Sequence, residues 1–109
     1  MKNWPRKAPA SLSAEARAIW CRLVSEYEIS DPAGLHLATI AMEALDRMRE
    51  AQMLIKERGI CTQDRFGQLR SNPATIVERD ARSAMLAALR ALHLDLEPIR
   101  DRAARLPGR

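Results

Sequence analysis

Glu43, Asp46, Glu50 and Glu57 are spaced so that a helix would gather them toward one face, and carboxylates so gathered suit metal ligation or paired acid and base work. Arg47, Arg49, Lys56 and Arg58 are interleaved with them, which reads as a solvated or intersubunit salt-bridged face rather than a reactive one. His36 and His93 stand alone, one near an expected helix start and one near an expected helix end. A cationic imidazole favours a helix C-terminus, so surface or capping roles suit both better than catalysis. Cys21 and Cys61 lie far apart with no Cys or His at ligand spacing around them, so neither a zinc site nor a CxxC motif is written, and both read as buried or idle thiols. The four glycines form neither GxGxxG nor GxxxxGK[ST], which leaves no cradle for a nucleotide. The expectation is a chain that is not an enzyme, with no catalytic residues, no metal site and no cofactor. The enzyme rival would have to work through His36 or the acidic helix face with Glu43.

The basic side chains offer a different chemistry. They fall into three groups: Lys2, Arg6 and Lys7 near the start, Arg65 and Arg70 in the middle, and Arg100, Arg102, Arg105 and Arg109 at the end. Guanidinium forks match phosphate oxygens, so together these groups suit a DNA-facing edge with salt-sensitive affinity and no sequence choice, or serve only to keep a helical protein soluble. Lys2, Arg6, Lys7, Arg65, Arg70, Arg100, Arg102 and Arg105 are the DNA-binding candidates. Trp4 sits outside any apolar stripe among the first of these groups and is suited to docking on a protein or nucleic acid, or to no role at all. Trp20 lies inside a stripe and reads as core rather than as a platform for a base.

These groups must be held by one domain, since 109 residues and 12.3 kDa leave no room for two of ordinary size. The chain is 47% hydrophobic but only 4% aromatic, with four glycines; its core is therefore made of Leu, Ala, Ile and Met, the residues of helix packing. Its formal net charge is +4 with a pI near 9.7, and Lys2, Arg6 and Lys7 account for most of the excess. No apolar run is long enough to span a membrane and the basic start leads into no hydrophobic signal region. A cytoplasmic protein is expected.

Ser13 as cap, Glu15 in the first turn and the stripe Ala16, Ile19, Trp20, Leu23, Val24 and Tyr27 predict a first helix. Asp31-Pro32 starts a second, with apolar positions Leu35, Ala38, Met42, Leu45, Met48, Ala51 and Ile55 up to Gly59, about 40 Å long at 1.5 Å per residue. Such a helix is too long and too apolar along one side for a helix-turn-helix reader. Residues 60–71 read as a small β-hairpin or extended loop with Gly67 near its tip. Asn72-Pro73 opens a third helix, with Val77, Ala81, Ala84, Met85, Ala88, Leu89 and Leu92 on its apolar positions, and a short fourth is expected between Ile99 and Leu106. The fold class is mainly α: a long helical hairpin, a third helix and a short C-terminal helix. A basic flexible arm (1–11), a single helical domain (12–106) and a tail (107–109) complete the organisation.

Leu12-Ser13 and Ala16 leading to Trp20, Arg49-Glu50-Ala51 and Leu54 before Gly59, the polar hairpin with Gly67, the Asn72-Pro73 restart and Leu94-Asp95-Leu96-Glu97-Pro98 followed by arginines form a succession that resembles a known family. It is that of the small terminase subunits of tailed double-stranded DNA phages, in the branch with a helical hairpin domain. The resemblance spans residues 9–102. Asp95 and Glu97 stand where the family tends to have Gly and Thr, and Arg100 and Arg102 flank the position of its Arg. The resemblance implies a non-enzymatic packaging factor that assembles into a ring, recognises viral DNA and hands it to the large terminase subunit, which carries the ATPase and nuclease. Its partners would be double-stranded DNA, the large terminase subunit and itself as a cyclic homo-oligomer. Met42, Leu45, Met48 and Ile55 on the second helix and Ala84 and Ala88 on the third are the interface candidates. The rival reading is a small helical regulator or adaptor that binds protein without specific DNA binding.

Overall fold

The computed structural model describes residues 7–94. Lys2, Trp4, Arg6, the arginines from Arg100 onward, the short fourth helix and the tail lie outside the described residues.

Helix α1 (Ala14–Glu26) starts where expected: Ser13 Oγ accepts the Ala16 N–H at 3.1 Å, satisfying one of the amides that a helix start leaves without a partner. It stops because Glu28 turns left-handed at φ 52. The Ile29 N–H then reaches back to the Val24 carbonyl at 3.0 Å and the Glu28 N–H to that of Ser25 at 3.4 Å, which is the Schellman closure, with Ile29 and Val24 both buried. A side chain at that backbone angle costs about 1–2 kcal/mol against glycine. Glu28→Gly is accordingly expected to stabilise the fold by about 1 kcal/mol after its added unfolded-state freedom is subtracted, visible as a thermal midpoint higher by roughly 4–8 °C. A lower midpoint would mean that the Glu28 side chain contributes more than its backbone costs.

Helix α2 (Pro32–Arg58) is capped by Asp31, whose Oδ2 accepts the Gly34 N–H at 2.8 Å, with Pro32 in the first turn. Gly34 has no room for a side chain: a Cβ there would lie 2.8 Å from both Asp31 Oδ1 and Ile29 Cγ2. The helix ends at Gly59 as expected, though not in the left-handed conformation common just past helix ends. Gly59 has φ 88 and ψ 168, a region essentially confined to glycine, and the chain passes directly into a strand. Strands β1 (Cys61–Gln63) and β2 (Leu69–Ser71) pair antiparallel, Cys61 opposite Ser71 and Gln63 opposite Leu69. Helix α3 (Ala74–Ala91) follows and returns along α2.

The dominant hairpin is α2 against α3, with the β-ribbon as its bend. Helix α1 also packs on α2 and reaches along its first two thirds, since Trp20 meets Thr39, Ser13 meets Asp46 and Glu15 meets Arg49. Trp20, Val24, Leu35, Met42, Leu45 and Met48 fill the core, and the small buried residues Ala41, Ala81 and Ala88 let helices approach closely. Where α1 stops covering it, the α2–α3 hairpin runs on as two helices and a ribbon. The Cα radius of gyration is 18.1 Å with extents of 61 × 37 × 18 Å, against about 13 Å for a compact domain of this size.

Candidate nucleic-acid interface

The ribbon end is the most chemically distinctive surface among the described residues. Its tip is built on Asp64. The Gly67 N–H donates to the Asp64 carbonyl at 3.0 Å and the Asp64 N–H to the Gln68 carbonyl at 2.9 Å, while Gly67 takes φ 78; this is a type I turn closed by a left-handed glycine. The Asp64 carboxylate stiffens it further. Oδ1 accepts from the Phe66 N–H at 2.8 Å and the Gln68 N–H at 3.0 Å, and Oδ2 accepts from Arg70 Nε at 3.0 Å. These bonds, led by the one from the Gln68 backbone and joined by those from Arg70 and Phe66, hold the Asp64 carboxyl below the ordinary aspartate range.

A depressed folded-state pKa means that Asp64 contributes stability above its unfolded-state value and loses it as pH falls through the folded value. The amide resonances of Phe66 and Gln68 are therefore expected to hold their positions at neutral pH and to move only below the ordinary aspartate titration. Movement centred at the ordinary value would show that the carboxylate does not hold the turn.

Around this turn the side chains face water. Phe66 is 76% exposed and Leu69 73%, fractions that in apolar residues mark a surface without its partner. The Arg65 guanidinium lies over the Phe66 ring, 5.2 Å from its centroid, a cation–π contact that keeps both at the tip. Arg65 and Arg70 are brought together as expected from the sequence, and Lys56 and Arg58 close α2 just before the ribbon. Arg70 is already engaged by Asp64; an Asp three residues before a Gly in a hairpin signals the turn, while the pairing itself follows from the ribbon register.

The other candidates separate. Lys7 is exposed ahead of α1, whose capping Ser13 lies against Asp46 in the middle of α2. Met42, Leu45 and Met48 are only 2–4% exposed and Ala88 6%, because all four pack into the core that the three helices of the same chain share; the expectation that these four meet a neighbouring subunit is corrected. Ile55 is half-buried and Ala84 exposed, and these two remain accessible. Val77, expected inside, is 42% exposed. It lines a groove of about 340 Å³ between α2 and α3 with Ala51, Leu54, Pro73 and Ala74, with Arg47, Glu50 and Arg58 along its edges.

The acidic face of α2 is partly a clamp within the chain. Asp46 accepts the Ser13 N–H at 2.8 Å and the Ser13 hydroxyl at 2.5 Å. Arg49 forks onto Glu15 at 3.1 and 3.0 Å and also donates to Gln52 at 2.9 Å. Gln52 donates to Glu78 at 3.1 Å, and Glu78 pairs with Arg82, so a polar chain crosses all three helices. The Arg82 and Gln52 hydrogen bonds lower the Glu78 pKa, while the Glu15 hydrogen bond and charge raise that of Arg49.

His93 is exposed and adopts φ 55 just beyond α3, where its N–H reaches the Arg90 carbonyl at 3.0 Å, a capping position. Among the described residues no three His, Cys, Asp or Glu side chains are grouped to hold a metal ion. No helix among them is long and apolar enough to cross a membrane. Cys21 and Cys61 are both exposed free thiols, so neither is buried as the sequence allowed. No family model, curated protein or solved structure matches the chain.

Proposed function

We propose that this chain is a DNA-binding, self-assembling packaging subunit of the small terminase kind, which binds double-stranded DNA and delivers it to a large ATPase and nuclease subunit. The observation that carries the DNA half is the ribbon end, where Arg65 and Arg70 sit on a stiff turn and Lys56 and Arg58 stand at its base. Self-assembly is supported by the elongated shape and by Met53, Leu54, Ile76 and Val77, all 42–65% exposed on the stretch of hairpin that α1 does not cover. A ring, and delivery to a large subunit, come from the family resemblance in the order of the sequence signals. The same exposed apolar stretch favours the second reading, an adaptor that docks on another protein.

Filter binding of a duplex across a salt series, together with the native mass, separates them. The packaging reading expects a multiple of the chain mass and a log affinity that falls linearly with log salt, with a slope of about −0.9 per phosphate contacted. A strict monomer at micromolar concentration with no duplex binding at low salt sinks it and leaves the adaptor.

A further inference from the structure

We infer that the β-ribbon of residues 61–71 reads base edges in the DNA major groove, with Arg70 as the guanine-reading side chain and Asp64 as the residue that positions it. The inference rests on the DNA-binding reading and adds to it a source of sequence preference. A two-stranded ribbon is one of the two elements that the major groove, about 12 Å wide, admits.

Three features of this ribbon fit that use. It is rigid at both ends: the Asp64 carboxylate ties the tip, while at the base the Asn72 N–H donates to the Ile60 carbonyl at 2.7 Å and Asn72 Nδ2 to that of Gly59 at 2.9 Å. A reader fixed before contact spends little ordering entropy on binding. Next, Arg70 uses only Nε on Asp64, and its side chain remains 65% exposed. Its terminal amino groups, without a hydrogen bond to any of the described residues, are the pair that bridges guanine O6 and N7. Last, Phe66 is exposed at the tip of the same ribbon, and apolar side chains in the major groove contact the thymine methyl. The charges favour DNA over a protein partner here, since Lys56, Arg58, Arg65 and Arg70 outnumber Glu57 and Asp64 along 56–70.

The opposing electrostatic account makes a contrary forecast for one variant. If the ribbon only attracts phosphates, Asp64→Asn removes a negative charge and strengthens binding to every duplex. If Asp64 positions Arg70, the same change weakens binding to the preferred sequence while leaving random duplex little altered.

The experiment selects from a randomised 30-base-pair duplex pool with the full chain and then measures affinities for the enriched and unselected duplexes. Wild type should enrich a guanine-containing motif. Arg70→Lys, which keeps the charge but loses the fork, should lose about tenfold to a hundredfold on that motif and about twofold or less on unselected duplex. Asp64→Asn should follow Arg70→Lys, and Arg65→Ala should weaken both duplexes alike and lower the salt slope by about 1. Circular dichroism of each variant should match wild type, because the substituted positions lie outside the core. Wild-type binding with no enriched motif, or a motif unchanged in Arg70→Lys, overturns the ribbon reading while DNA binding itself stands. An absence of duplex binding by wild type overturns both, and capture of a protein instead supports the adaptor.

Discussion

Trp20→Ala is expected to destabilise the fold by about 3–5 kcal/mol and to detach α1 from the hairpin. Trp20 is the largest fully buried side chain, at 2% exposure, and aromatics are only 4% of the chain, so neighbours of similar bulk are not at hand to refill the space. Its Nε1–H donates to Thr39 Oγ1 at 3.2 Å, and the Thr39 hydroxyl donates onward to the Leu35 carbonyl at 3.0 Å. The ring thus couples packing to the first turns of α2. Against a total stability of roughly 5–15 kcal/mol for a domain, the loss is a large fraction of what there is. Urea unfolding should show a strongly lowered midpoint, and amide exchange in 14–26 should accelerate before that in α2. Trp20→Phe keeps much of the volume, loses one hydrogen bond and leaves Thr39 with its Leu35 partner, so its cost should fall near 1–2 kcal/mol. A change below 1 kcal/mol for Trp20→Ala would mean that α1 is not an integral part of the core.

That Trp20 belongs to the core was legible because a helix has one period and Ala16, Ile19, Trp20, Leu23 and Val24 keep it. Caps were legible for a similar reason: Ser13 and Asp31 act through amides two or three residues away, so the whole interaction lies within a short string of sequence. Which helix covers which face of α2 was not. Met42, Leu45 and Met48 form a stripe that suits any apolar neighbour, and only the path of the chain decides that the neighbours are its own α1 and α3.

The polar parts divide along the same line. Glu15 and Arg49 are 34 positions apart and meet in a fork, and Gln52 meets Glu78 across 26 positions; no local spacing announces either. Arg65 and Arg70 were legible as cations within a turn, but the bond from Arg70 to Asp64 depends on the ribbon register, which sets Arg70 opposite Thr62. Gly59 was legible as a helix end. Its extended ψ was not, since glycine tolerates several conformations and the onward path into β1 selects among them.

Asn72→Ala is expected to cost about 2–4 kcal/mol and to loosen the ribbon more than the helices. Asn72 is the only polar or charged residue among those described that is buried, at 6% exposure, and both ends of its amide are used. Oδ1 accepts the Ala74 N–H at 3.0 Å, which makes Asn72 the effective cap of α3 even though the helix is assigned from Ala74, and Nδ2 donates to the Gly59 carbonyl at 2.9 Å. One side chain therefore joins the end of α2 to the start of α3 and closes the base of the ribbon. Alanine removes a cap and leaves the buried Ala74 N–H without its acceptor, about 1–3 kcal/mol, and it removes the bond to the exposed Gly59 carbonyl, about 1 kcal/mol more. Asn72→Asp separates the two losses. The carboxylate still caps Ala74 but sets negative charge against the Gly59 carbonyl, so amides of 61–71 should exchange faster while those inside α3 keep their protection. Equal exchange of the ribbon in Asn72→Asp and wild type would show that the Gly59 bond does not hold the ribbon base. If the ribbon reads DNA as proposed, loosening it there should also lower its discrimination, because a groove reader depends on the angle at which its strands leave the helices.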